Sequence, residues 1–210
     1  MRLACLALLA LSACAEPASV MVHRPGDAHA DAAVTNLWAS EIHDTARTGD
    51  WILTRSYYAM ADVIATASSG EALSHASIYD REHDTVIESV GSGVREIPLA
   101  QLVDRNHYVI VVRPSGMTAA QQRAAVVRAR SKIGAAFDRT GMIGLYDHDD
   151  QFYCSELVWW ASFGDAPHPR VIQPSSLIEH GTVIYWSGTR TDPQVMRLAL
   201  DHADRRAELR

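Results

Sequence analysis

The sequence predicts an α+β fold in a single domain. Three observations carry this: helix-spaced apolar residues near both ends, a group of short β-rich runs between them, and 210 residues with no internal repeat. The strands are expected to form an antiparallel sheet or small barrel packed against the helices.

The first residues precede the fold. MRLACLALLALSAC carries one positive charge at Arg2, runs apolar from Leu3 to Leu11 and closes on small residues. The run is well short of the ~20 residues a membrane span needs, so it reads as a secretory signal. Leu11-Ser12-Ala13-Cys14 resembles the bacterial lipobox, which makes residues 1–14 a signal peptide ending at a lipid-modified Cys14. Ordinary cleavage after Ala15 is the competing reading, since Ala13-Cys14-Ala15 has the small-x-small form. Residues 15–30 hold Pro, Gly and Asp with little periodicity and read as a flexible tether, leaving residues 31–210 as the domain.

Within the domain, Val34, Leu37, Trp38, Ile42 and Ala46 fall at helical spacing and predict a helix over 31–47. Gly49-Asp50 ends it before a strand, WILTR. Residues 57–68 (YYAMADVIATAS) predict a second helix. SHASIYD, TVIESV and VREIPL follow as short strands, then HYVIVVRP, whose β-branched run marks a buried strand. Thr118 to Ile133 reads as a helix, N-capped by Thr118 and closed by Gly134. After the polar loop DHDDQ, Cys154 to Phe163 is helical. TVIYWS is a late strand and residues 192–209 a terminal helix.

Composition narrows the function. Net charge is −6, and Lys132 is the one lysine among scattered arginines. That is no footprint for nucleic acid. Asp147-His148-Asp149-Asp150 lacks the spaced ligands and turn glycine of a cation loop and reads as solvated. No histidine pair has zinc spacing, so neither a metal nor any other cofactor is expected.

The three cysteines then become informative. Cys5 leaves with the signal and Cys14 carries lipid, so Cys154 stands without a disulfide partner, either as a buried hydrophobe or as a reactive thiol. Leu157, Val158 and Ala161 follow at i+3, i+4 and i+7, which puts Cys154 at the start of the buried helix face. At a helix N-terminus the free N–H groups and the dipole favour thiolate and can hold an oxyanion. A base is also needed, and His75, opening the strand after Ser74, is the best of ten histidines. If the turn around Asp80–Asp84 has an even number of residues, a pairing sum of 163 sets His75 directly opposite Glu88, on the same face. A carboxylate there would orient the imidazole.

Four blocks in order resemble a known family. Gly49-Asp50-Trp51-Ile52-Leu53, Ser74-His75-Ala76-Ser77-Ile78, Val86-Ile87-Glu88-Ser89 and Phe152-Tyr153-Cys154-Ser155-Glu156-Leu157-Val158 resemble the permuted papain-like amidases of the YiiX/YaeF type. These are circularly permuted relatives of the NlpC cell-wall peptidases. The resemblance spans about residues 49 to 177 and implies a papain-like fold, with Cys154 as nucleophile, His75 as base and Glu88 as the orienter of His75. It also marks Arg55, Ser56 and Tyr153 as substrate-binding candidates. The family's Gly-x-Pro-Tyr-Asp becomes Gly134-Ala135-Ala136-Phe137-Asp138 here, so Phe137 and Asp138 are either cleft-lining residues or a helix-ending turn.

The expected activity is that of a bacterial cell-envelope cysteine hydrolase cutting amides, with peptidoglycan stem peptides as one substrate class implied by the resemblance. A thioesterase or acyltransferase on lipid or lipoprotein acyl groups is the alternative chemistry, and a non-catalytic envelope binding module the alternative class. The expected partners are the envelope substrate and a membrane surface reached through lipid on Cys14. A resemblance of Cys14-Ala15 to enteric lipoproteins implies the outer membrane, on its periplasmic face; cleavage after Ala15 would instead give a soluble periplasmic protein.

Overall fold

The computed structural model describes residues 17–208 except 69 and 147, so Cys14, the signal segment and the last two residues lie outside the described residues. The elements run α1 (Ala28–Thr45), β1 (Trp51–Ser56), α2 (Ala59–Ala67), β2 (His75–Asp80), β3 (Thr85–Val90), β4 (Gly93–Pro98), α3 (Leu99–Asp104), β5 (Asn106–Pro114), α4 (Ala119–Arg130), α5 (Cys154–Phe163), a 3₁₀ turn (Ser175–His180), β6 (Gly181–Trp186) and α6 (Pro193–Glu208). All six strands join one sheet in the order β4-β3-β2-β1-β5-β6, and every pairing is antiparallel. The fold is α+β, one domain, with an open sheet.

Both faces of the sheet are covered, which explains the continuous apolar runs in β1 and β5. Trp51, Leu53, Ile110 and Val112 pack with Leu157, Val158, Ala125 and Ala129 of α5 and α4. Ile52, Val109 and Val111 pack the other way, against Val34, Trp38 and Ile42 of α1, Leu99 and Leu102 of α3, and Ala199 of α6. A period-2 backbone thus feeds two cores from one strand.

Several boundaries differ from the sequence reading. The helix expected over 118–133 stops at Arg130, and residues 131–134 turn, with Gly134 at φ +92°. Its start is as read, with Thr118 and Gln121 forming a capping box. The six-residue α3 and the 3₁₀ turn are too short to show a period. The tether expected over 15–30 is not free where it is described. Ala59 N–H donates to the Pro17 carbonyl at 2.9 Å, Ser19 N–H donates to the Tyr57 carbonyl at 2.8 Å, and α1 already begins at Ala28.

Gly49-Asp50 has a clear local cause. Gly49 sits at φ +92°, and a Cβ there would lie 2.5 Å from Gln122 Cβ and 2.6 Å from its carbonyl oxygen. Only glycine admits that turn beneath α4. Buried Asp50 then accepts from Arg47 N–H, the Gln122 amide and the Arg113 guanidinium, tying α1, α4 and β5 to the start of β1.

Candidate active site

Strand β3 sets the site by alternation. Ser89 faces α5 and donates to the carbonyl of Phe152, fixing the chain two residues before Cys154. Glu88 points to the opposite face, where His75 Nε2 lies 2.7 Å from its Oε2. The pairing of β2 with β3 is Ser77↔Glu88 and Asp80↔Thr85, a sum of 165 rather than 163. His75 is therefore diagonal to Glu88, not directly opposite. The turn holds residues 81–84, an even number, so both side chains keep the same face and a long carboxylate spans the diagonal.

Cys154 opens α5. The Glu156 carboxylate accepts the Tyr153 N–H at 3.0 Å, and the Tyr153 hydroxyl accepts the Ile172 N–H at 2.8 Å. Ser155 donates its hydroxyl to the Ile172 carbonyl at 2.6 Å. The first helical hydrogen bond runs from Leu157 N–H to the Tyr153 carbonyl, so the N–H groups before it lie outside the helical ladder. The helix end is held from three sides, and the thiol lies beside the His75 imidazole and the Ala76 N–H, near enough for both to act on its charge. With Nε2 on Glu88, Nδ1 is the ring nitrogen left for sulfur.

The charges follow from these contacts. Burial is the largest influence on Cys154 and pushes the thiol up, but the His75 imidazole and the Ala76 N–H outweigh it, and the thiol falls below its ordinary value. Burial likewise disfavours the His75 cation, and hydrogen bonds to Cys154 and Glu88 overcome it, raising the imidazole to about 9. Glu88 is fully buried, which opposes ionisation. His75, Arg105 and Arg95 reverse this and hold the carboxyl at about 2. These contacts favour the thiolate, imidazolium and carboxylate forms in sequence.

Two of these partners escaped the sequence reading. Arg95 Nε donates to Glu88 Oε1 at 2.9 Å, and Arg105 pairs with Oε2. Arg95 was findable: Gly91-Ser92 is a two-residue hairpin loop, and the pairing Val90↔Gly93 sets Arg95 opposite Glu88. Arg105 is delivered by the end of the short α3, which leaves no pattern.

The five substrate-binding candidates fare differently. Arg55 and Ser56 are buried and engaged inside the fold: Arg55 donates to the Ser56 carbonyl and pairs with Asp62, while the Ser56 hydroxyl donates to Asn106. Tyr153 is buried with its hydroxyl on Ile172. Asp138 is fully buried and accepts from Thr140 N–H and Oγ1, Gly141 N–H and His148 N–H, so it organises the loop before the thiol helix. The turn that ends α4 lies earlier, at residues 131–134. Phe137 is half-buried, packed on the core beneath Arg139. None of the five points an unengaged polar group at the thiol.

A groove of about 260 Å³ runs along the outer side of α5, lined by Phe152, Glu156, Trp159, Trp160, His168 and Ile172. Among the described residues no three His, Cys, Asp or Glu side chains gather to hold a metal ion.

A thiol at a helix N-terminus, against an imidazole held by a carboxylate, is the arrangement of hydrolases that use a sulfur nucleophile. Residues 45–194 match the family of permuted papain-like amidase enzymes, YaeF/YiiX, C92, and the chain belongs to that family. Its members are grouped as cysteine amidases or peptidases. Among solved structures, the crystal structure of the metalloprotein YiiX from Escherichia coli O157:H7 is similar, with 22% identity over 72% of this chain and 92% of that one, and a TM-score of 0.48. No curated protein matches.

Proposed function

We propose that this protein is a cysteine hydrolase of the bacterial cell envelope that opens an amide bond through a thioester on Cys154, and that lipid on Cys14 holds it at a membrane. The observation that carries the catalytic part is the buried chain of contacts from Cys154 through His75 to Glu88. The Cys154 thiolate attacks the carbonyl carbon, and the resulting oxyanion is met by the N–H groups at the start of α5. The C–N bond breaks as His75 passes its proton to the leaving nitrogen. Water then attacks the thioester, His75 takes the water proton, and the C–S bond breaks to release a carboxylic acid and restore the ion pair. Glu88 keeps Nδ1 aimed at sulfur and stabilises the imidazolium; Arg95 and Arg105 keep Glu88 ionised.

Peptidoglycan stem peptides are the proposed substrate class. The test incubates purified protein with muropeptides and, separately, with acyl lipids, and reads products by mass spectrometry. Cleaved stem peptides that disappear with Cys154→Ala support the amidase. Turnover of the acyl lipid alone assigns the same thioester chemistry to a thioesterase or acyltransferase, and turnover of neither counts against catalysis.

A further inference from the structure

Helix α2 turns its charge inward with Ala61 and Ala65, and two of its large apolar residues outward. Its nine residues, AMADVIATA, carry a single charge, Asp62, and that carboxylate is buried. It pairs with Arg55 and accepts from the Ser19 hydroxyl at 2.5 Å and the Val20 N–H at 2.8 Å. The outer side carries Met60 and Val63, 52% and 62% exposed. The segment from Pro17 lies along the helix and continues this face with Val20 and Met21, 77% and 56% exposed. Thr66 Oγ1 lies 3.6 Å from the Met21 sulfur, so helix and segment form one surface. A contiguous exposed apolar face without a charge is the mark of an interaction surface, and a short helix built this way suits the plane of a lipid interface.

Chain length says what covers it. Pro17 is fixed on the first turn of α2 by the Ala59 N–H. Pro17 is three positions beyond Cys14, a reach of at most about 10 Å. A lipid on Cys14 that enters a bilayer therefore brings the first turn of α2 close to that surface. We propose that the face formed by Val20, Met21, Met60 and Val63 rests on the phospholipid surface and fixes the domain in one orientation.

Gln173 Nε2 donates to the Ala67 carbonyl at 3.0 Å, at the C-terminal end of α2, and neighbouring Ile172 holds Tyr153 and Ser155 beside the thiol. The segment holding Gln173 and Ile172 thus ties the end of α2 to the thiol helix. The docking leans on the proposed anchoring.

Methionine oxidation tests it without a label. The full lipidated chain is placed on phosphatidylethanolamine–phosphatidylglycerol vesicles and treated with dilute peroxide, and sulfoxide is followed at each methionine. From exposure alone, Met21 and Met60 should react faster than half-buried Met117 and Met196. Docking inverts the order, with Met21 and Met60 at least about fivefold slower than these two. Val63→Asp should return them to the fastest class while leaving Cys154 alkylation unchanged. Met21 and Met60 remaining fastest on vesicles overturns the proposal. Protection that vanishes on diluting the protein at fixed lipid overturns it too, because the occupant is then a second copy. The footprint is read without substrate, so it can fail while the hydrolase reading stands.

Discussion

Replacing His75 with Ala removes the imidazole that lowers the Cys154 thiol by hydrogen bond and by charge. In the intact protein burial pushes the thiol up and the imidazole more than offsets it. With the imidazole gone, the Ala76 N–H and the Ser155 hydroxyl alone oppose burial, and the thiol rises to about the ordinary value near 8.5. At pH 6.5 such a thiol is about 1% ionised, so the alkylation rate should drop roughly 100-fold relative to the protein with His75. Iodoacetamide labelling of Cys154, read by mass spectrometry from pH 5.5 to 9.5, measures this. Cys154 is 8% exposed, so access slows every rate, and each profile is scaled to its own high-pH plateau. The protein with His75 should give a flat profile across neutral pH. His75→Ala should give a tenfold slope per pH unit below its midpoint. Equal slopes in the two proteins, with the folded thiol reacting more slowly than the unfolded one at pH 6.5, would make Cys154 a structural cysteine and refute the reasoning.

Further outcomes follow from other contacts. Glu88→Gln leaves Arg95 and Arg105 without a counter-charge and should cost about 2–3 kcal/mol in urea unfolding, at the lower end because both arginines are partly solvated. The Glu88 carboxyl lies at about 2 when folded, below its ordinary value of 4.5, so its stabilisation is complete above that value and lost as pH falls toward 2. The stability difference between the intact protein and Glu88→Gln should therefore shrink over that window, as followed by thermal melts. Gly49→Ala sets a methyl against Gln122 at a positive φ and should destabilise by about 2–4 kcal/mol, with no change in the pH profile of Cys154 alkylation. Asp138→Ala removes four accepted hydrogen bonds and should loosen residues 138–148, visible as faster amide exchange there than in β1. Cys14→Ala should leave the protein out of the membrane fraction, while normal processing of that variant would favour cleavage after Ala15.

What the sequence disclosed depended on whether the signal was local. Cys154 at the head of a helix with Leu157 and Val158 inward is a local pattern, and α5 is present with the boundaries read. The meeting of His75 and Glu88 required only the parity of a turn, so it survived a register two residues away from the one expected. A polar pair at a strand end, such as Arg55-Ser56, looks like a site, whereas the structure shows both side chains engaged inside the fold. The Ser56 partner, Asn106, lies 50 residues away, while the Arg55 partner, Asp62, is seven residues on, and a lone Asp in the apolar AMADVIATA is a sign of a buried ion pair. Asp138 is ambiguous for another reason: the Thr140, Gly141 and His148 groups that donate to it are near in the chain but lie in a loop without periodicity. Arg105 reaches Glu88 across 17 residues through a helix of six, and nothing local could announce it.

The most direct measurement is the mass of the protein during turnover. Rapid acid quenching of a reaction with muropeptide, followed by peptide mapping, should show the acyl fragment attached to Cys154 as a hydroxylamine-sensitive thioester, absent from Cys154→Ala and accumulating when His75 is intact and water attack is the slower step. Product formation that persists in Cys154→Ala, or an adduct on any other residue, would contradict the account.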